Sequence, residues 1–160
     1  LANDFGNLLS RISTLINKNY EGVMPAAAEL SSEELKIIKF SSSVVKNFDS
    51  LMVKMAINDA IEEALQLVRK INKYFEHSTP WKAVKEDKTL AGTILYTGAE
   101  SLRIVSVLLS PIMPERTKEL LAVLNTDNSD RSWGGLKPGK KLGKLTPLFP
   151  RIVADTNNVN

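Results

Sequence analysis

Apolar residues recur at three- and four-residue spacing from the first positions, where Phe5, Leu8, Leu9, Ile12, Leu15 and Ile16 line one side of a helix. Gly22 and Pro25 end that pattern and predict a loop over 21–30. Ser31, with Glu34 three positions later, is a capping-box pair ahead of a second stripe of Leu35, Ile38, Phe40, Val44 and Val45, predicting a helix that ends near Phe48. Asp49 then offers an N-cap to the longest segment, in which Val53, Ile57, Ile61, Ala64, Leu65, Val68 and Ile71 continue the stripe to about Glu76. Ser78, Thr79 and Pro80 break it and leave Trp81 just past a helix end. A fourth helix is predicted from about Thr89, through Ile94, Leu102 and Val105, to Ser110. Pro111 and Pro114 follow, and because proline fits a first helical turn a short fifth helix is predicted over 116–124. No strand-like alternation competes, so the expected fold is all-α, a helical bundle of about five helices over residues 1–125.

After Asn125 the character changes. Gly134, Gly135, Pro138, Gly139, Gly143 and Pro147 crowd together, and residues 126–154 read as an extended arm, ordered where Leu136, Leu142, Leu145, Leu148 and Phe149 dock on the bundle or on another domain. Residues 155–160 read as a fraying tail or the start of a linker. The arm is also where the charge gathers. The whole chain carries 21 Lys and Arg against 18 Asp and Glu, a formal +3, but Arg131, Lys137, Lys140, Lys141, Lys144 and Arg151 fall together and no acid lies between Ser132 and Ala154. Such asymmetry is compatible with a polyanionic partner, but a solvated basic tail is the commoner explanation.

Composition then removes several chemistries. With 160 residues, 43% of them hydrophobic, the chain can bury a core without staples. It has no cysteine, which excludes disulfides, thiolate metal sites and cysteine nucleophiles, and one histidine, which excludes a histidine-rich metal centre. No stretch approaches the ~20 apolar residues of a membrane span, and no signal peptide precedes the first periodic segment. A cytoplasmic protein is expected, although the sequence opens in mid-helix and reads as an excised piece.

The candidate chemical motifs are few. Gly134 to Lys140 has the G-x-x-x-x-G-K spacing of a phosphate loop, but Lys141 stands where a metal-binding Ser or Thr belongs, Pro138 removes an amide donor and no strand precedes it. Glu62 and Glu63 project from a helix at about 100° to each other, so they cannot converge as an acid–base pair and read as a solvated face. His77 has no second ligand in view and decorates a helix end. No serine has a histidine partner at motif spacing. Asn7 and Arg11 say more: four residues apart, they share a helix side roughly 100–140° from the apolar stripe and point away from the core. An exposed Asn–Arg pair is ordinary, yet an amide and a guanidinium together can read the polar edge of an unstacked base. Trp81, after Pro80 in a helix break, can cap the core or serve as a stacking platform for a nucleobase.

Four stretches, LANDFGNLLSR, YFEHSTPWK, LRIVSVLLSPIMPE and WGGLKPGKKLGKLTPLFPRI, occur in that order over nearly the whole chain. Together they resemble the C-terminal anticodon-binding domain of bacterial-type methionyl-tRNA synthetases. The third stretch recurs among related class I synthetases; Pro-Trp at the helix break and the final LFPRI favour methionyl over valyl, isoleucyl, leucyl and cysteinyl relatives. The resemblance implies that Trp81 stacks on the first base of a CAU anticodon while Asn7 and Arg11 hydrogen-bond the edges of that cytosine and its neighbour. Lys18, on the same helix side, and Lys82, beside Trp81, are candidate phosphate contacts.

The family's HIGH-like and KMSKS-like catalytic signatures are not in these residues, so no catalytic residue, metal ligand or cofactor is assigned here. The resemblance places ATP, magnesium and a cysteine-bound zinc in a separate catalytic half of the parent ligase. It implies initiator and elongator methionine tRNAs as partners, with that catalytic domain as a further partner toward which the segment from Trp133 to Arg151 folds back, its basic charge serving that docking ahead of tRNA contact. The rival expectations are the anticodon domain of another class I synthetase and a helical protein-interaction module.

Overall fold

The computed structural model describes residues 2–145, and among them six helices and no strand are formed. They are α1 (Ala2–Asn19), α2 (Ser32–Val53), α3 (Ile57–Ser78), α4 (Pro80–Glu86), α5 (Lys88–Leu109) and α6 (Pro114–Val123). The all-α bundle expected from periodicity is the observed fold. The additional helix is α4, which fits inside the anticipated break because Pro80, having no N–H to satisfy, can occupy a first helical position.

α5 is the axis of the bundle. Nearly every residue from Ala91 to Leu109 is buried, with Leu95, Leu102, Ile104 and Val105 fully inside. α1, α3, α4 and α6 pack around it, and α2 and α3 form an antiparallel hairpin. The α1 stripe of Phe5, Leu8, Leu9, Ile12 and Ile16 is buried as its spacing requires. At Gly98 a Cβ would sit 2.7 Å from Phe75 Cζ, so glycine there lets α3 approach α5.

The boundary between the second and third helices differs from the sequence expectation. α2 runs through Asp49 to Val53, and Asp49 does not cap α3; its carboxylate pairs with the guanidinium of Arg131 in the arm, Nη2 to Oδ2 at 2.9 Å. The real stop is a left-handed Met55 (φ 57), with Met55 N–H donating to Met52 O at 3.0 Å and Ala56 N–H to Leu51 O at 2.9 Å. That is the double bond pattern of a Schellman turn built on methionine, without the glycine that makes such turns legible in a sequence. Ser31 and Glu34 do pair, the Ser31 N–H donating to Glu34 Oε2 at 2.8 Å. Glu34 also accepts from Tyr74 Oη of α3 at 2.5 Å. Burial pushes the Glu34 carboxyl up, but the bonds from Ser31 and Tyr74 outweigh it and hold the group below its usual value.

The arm is held by a buried ion pair. Glu100 and Arg103, both with fully buried side chains, lie one turn apart on α5 and meet through Nε–Oε2 (2.8 Å) and Nη2–Oε1 (2.7 Å). Arg103 donates onward to the carbonyls of Asn128 (3.1 Å), Asp130 (2.5 Å) and Ser132 (2.9 Å). Glu100 accepts from the backbone N–H of Gly134, Gly135 and Leu136, each at 2.9 Å. Gly134, the first glycine of the phosphate-loop spacing, thus does bind an anion, but it is the protein's own carboxylate, while the N–H of the second, Gly139, goes to Met24 O. Leu136 is buried and its carbonyl accepts from Tyr96 Oη at 2.6 Å, while Trp133 and Leu142 are half-buried against the core. Leu145 remains exposed. Leu148, Phe149, Arg151 and the 155–160 tail lie outside the described residues.

Candidate nucleic-acid interface

The corner between α3 and α4 decides where Trp81 points. Thr79 closes α3 with its N–H bonded to Phe75 O at 2.9 Å, and its own carbonyl accepts from Lys82 and Ala83 at 2.9 and 3.0 Å to open α4. Proline disfavours a right-handed helical conformation in the residue before it, and Thr79 takes the left-handed one (φ 44, ψ 66). For a β-branched residue this conformation is uncommon, and it sits directly beside the tryptophan. Ala83 and Val84 anchor the short helix on the core. Trp81, at its second position, is left 37% exposed. It therefore presents ring surface to solvent and is not sealed into the core.

Asn7 and Arg11 are both exposed, on the side of α1 opposite its buried stripe. α1 packs beside α4, and the Arg11 guanidinium carbon lies 5.2 Å from the centre of the Trp81 ring. A cation over an exposed aromatic face is worth about 0.5–1 kcal/mol, enough to bias the orientation of both side chains without locking either. Asn7 sits one turn earlier on the same face. The three residues singled out in the sequence are thus brought onto one exposed surface, with Arg11 and Trp81 in direct contact. Lys18, in the last turn of α1, and Lys82, next to Trp81, are exposed on the same two helices.

This surface offers an aromatic face, a guanidinium and a carboxamide, and among the described residues no three of His, Asp and Glu gather as a metal cage. Glu62 pairs with Arg69 along α3, and Glu63, also on α3, accepts from Asn47 Nδ2 of α2 at 3.0 Å, so the two carboxylates have separate partners. His77 is exposed at the end of α3. The arrangement is suited to holding a planar, polar-edged group and supplies no acid–base or nucleophilic constellation. The Arg11–Trp81 contact was not legible in the spacing, since it depends on α4 being a helix and on the left-handed corner at Thr79.

Comparison with known proteins gives this surface its context. The family model described as the anticodon binding domain of methionyl tRNA ligase matches residues 24–156, a span that contains Trp81 and begins after Asn7 and Arg11. Among curated relatives, the methionine–tRNA ligase of Clostridium tetani is 36% identical over 95% of this chain and 25% of its own length. That of Deinococcus radiodurans is 37% identical over 94% of this chain and 23% of its own length. The chain therefore spans about a quarter of the relatives it matches. Among solved structures, the apo methionyl-tRNA synthetase of Mycobacterium tuberculosis superposes with a TM-score of 0.87 at 29% identity, covering 94% of this chain and 32% of that one. The helices, the Pro-Trp corner and these matches agree: the chain belongs to the family of anticodon-binding domains of methionyl-tRNA ligases.

Proposed function

We propose that this domain reads the CAU anticodon of methionine tRNA, initiator and elongator alike, for an ATP-dependent methionine–tRNA ligase working in the cytoplasm. The observation that carries the reading is the Arg11 guanidinium 5.2 Å from the Trp81 ring on an exposed face shared with Asn7. A loop base splayed from its stack can lie on the free part of the indole, gaining roughly 1–3 kcal/mol. Arg11 and Asn7 then meet the polar edges of that base and its neighbour, and a wrong base leaves those edges unpaired. Adenylate formation and transfer, with their ATP and magnesium and a zinc site, belong in this reading to the catalytic part of the parent ligase. No helix among the described residues is long and apolar enough to cross a membrane.

The test is a competition between a CAU stem-loop and one altered at its first anticodon base, at fixed salt. Trp81→Ala and Arg11→Ala should each weaken CAU binding by about 1–3 kcal/mol, and Asn7→Ala should chiefly erode the preference. Because Arg11 and Trp81 touch, the double variant should lose less than the sum of the two single losses. Wild-type preference in all three single variants would refute the reading.

A further inference from the structure

The basic arm does not spread evenly over the bundle. Residues 139–142 run back along the turn that closes α1. Val23 and Lys141 form an antiparallel bridge. Around it Met24 N–H donates to Lys140 O (2.9 Å), Gly139 N–H to Met24 O (2.9 Å) and Leu142 N–H to Gly22 O (2.8 Å). From the other side, Asn125 Nδ2 donates to Lys141 O at 2.8 Å and Gly143 N–H to Val123 O at 2.8 Å. Gly143 lies so close to α6 that a Cβ there would be 2.2 Å from Ala122 O. The backbone that carries Lys140, Lys141 and Lys144 is therefore fixed against α1 and α6. All three lysines are exposed, and the Lys141 stem passes over Gly22, its Cγ and Cε each 3.9 Å from where a Gly22 Cβ would stand. Lys18, also exposed, is in the last turn of α1. Glu21 lies in the adjoining turn and Asp127 lines a cleft with Lys137 and Lys140, while residues 132–145 contribute no acid.

We infer that Lys18, Lys140, Lys141 and Lys144 form a phosphate-binding surface for the paired stem of the RNA hairpin whose loop bases meet Trp81 and Arg11. The inference rests on the anticodon reading for its partner and goes beyond it in assigning the arm. Arg11 and Lys18 share one face of α1, and from Arg11 to Asn19 the helix rises about 12 Å. That is the span of three to four stacked nucleotides at ~3.4 Å per phosphate along one strand. A strand whose base reaches Trp81 can thus bring its paired continuation to the end of α1, where the arm has placed its lysines. Flexible ammonium point charges suit phosphates, which position a nucleic acid without reading its sequence. An acidic protein surface is the competing occupant. Arg11 and Lys18 on one face of α1, with Lys141 lying over Gly22 just past the end of that helix, favour RNA.

The experiment compares the whole 160-residue chain with its Lys140→Gln/Lys141→Gln/Lys144→Gln variant, using a CAU stem-loop, an altered-anticodon stem-loop and the CAU loop sequence without a stem. Each is titrated over a salt series. The slope of log affinity against log salt should fall by about one per phosphate-contacting lysine removed, so by about three, on both stem-loops. Preference for CAU should be unchanged, the stemless loop should bind wild type and variant alike, and the Lys→Arg triple variant should restore the slope. An unaltered slope with CAU preference retained overturns the lysine surface and leaves the anticodon reading standing. A reduced slope without CAU preference in the wild type keeps the surface and overturns the anticodon reading. Absence of binding to either stem-loop overturns both.

Discussion

Arg103→Met isolates what holds the arm. Methionine keeps most of the volume but removes a guanidinium that is fully buried and bonded to Glu100 and to the carbonyls of Asn128, Asp130 and Ser132. Removing one partner of a buried pair costs about 3–5 kcal/mol, because the other charge is left uncompensated. Here the lower end applies: Glu100 keeps its three backbone donors, and the stretch around the exposed Asp130 can turn its carbonyls to water. For a chain of this length about 3 kcal/mol lowers Tm by roughly 6–12 °C. Circular dichroism melts give the midpoint, Trp133 fluorescence reports the arm, and amide exchange at residues 134–136 reports the Glu100 cradle directly. Gly135→Ala supplies a cross-check, because its Cβ would stand 2.4 Å from Arg103 Cζ and must displace the same guanidinium. In the Arg103→Met background that clash is largely gone, so the two losses should be strongly sub-additive. A Tm change under 2 °C would refute the clamp; so would a full loss that leaves Trp133 and the 134–136 amides unaffected, which would place the role of Arg103 within the helices alone.

Two predictions concern pH. Glu34 has a lowered folded value, so the stability it contributes is present above the ordinary carboxylate range near pH 4.3 and is lost as pH falls through the folded value. Glu34→Gln should lower the urea midpoint at neutral pH and flatten its decline on acidification; an unchanged acid profile would remove Glu34 from the account. All three tyrosines are raised: burial pushes Tyr96 up to about 12, with the Glu100 charge adding to it, and burial likewise raises Tyr20 and, helped by Glu34, Tyr74. Their stabilising effect is complete below about pH 10 and is lost as pH climbs through the folded values, so phenolate absorbance of the folded chain should develop only above about pH 10. Tyrosine ionisation at about pH 10 in a chain that keeps its helices would contradict this.

The residue pattern alone determines five of the six helices of this protein, though not all of their ends. A stripe at helical spacing has one economical use, burial against other helices, and so the α1 and α5 stripes could be read directly. Asn7 and Arg11 were legible as an outward pair for the same reason: once the buried face of α1 is known, helical geometry fixes the opposite one. The family stretches, local in sequence, carried the relationship to methionyl-tRNA synthetases. What tertiary structure decided are the features without a local signal. The Asp49 boundary was misplaced because the stop at Met55 uses a left-handed residue other than glycine, held by bonds to Leu51 and Met52. In the sequence, nothing distinguishes Glu100 and Arg103 from any charged pair one turn apart. Only the packing of every face of α5 buries them, and only the arm wrapped around them satisfies so many donors and acceptors away from water. The meeting of Arg11 with Trp81, and of Lys141 with the turn that closes α1, depends on where α4 and residues 139–143 come to rest. Neither is a property of any one segment, since each position is set by contacts between distant parts of the chain.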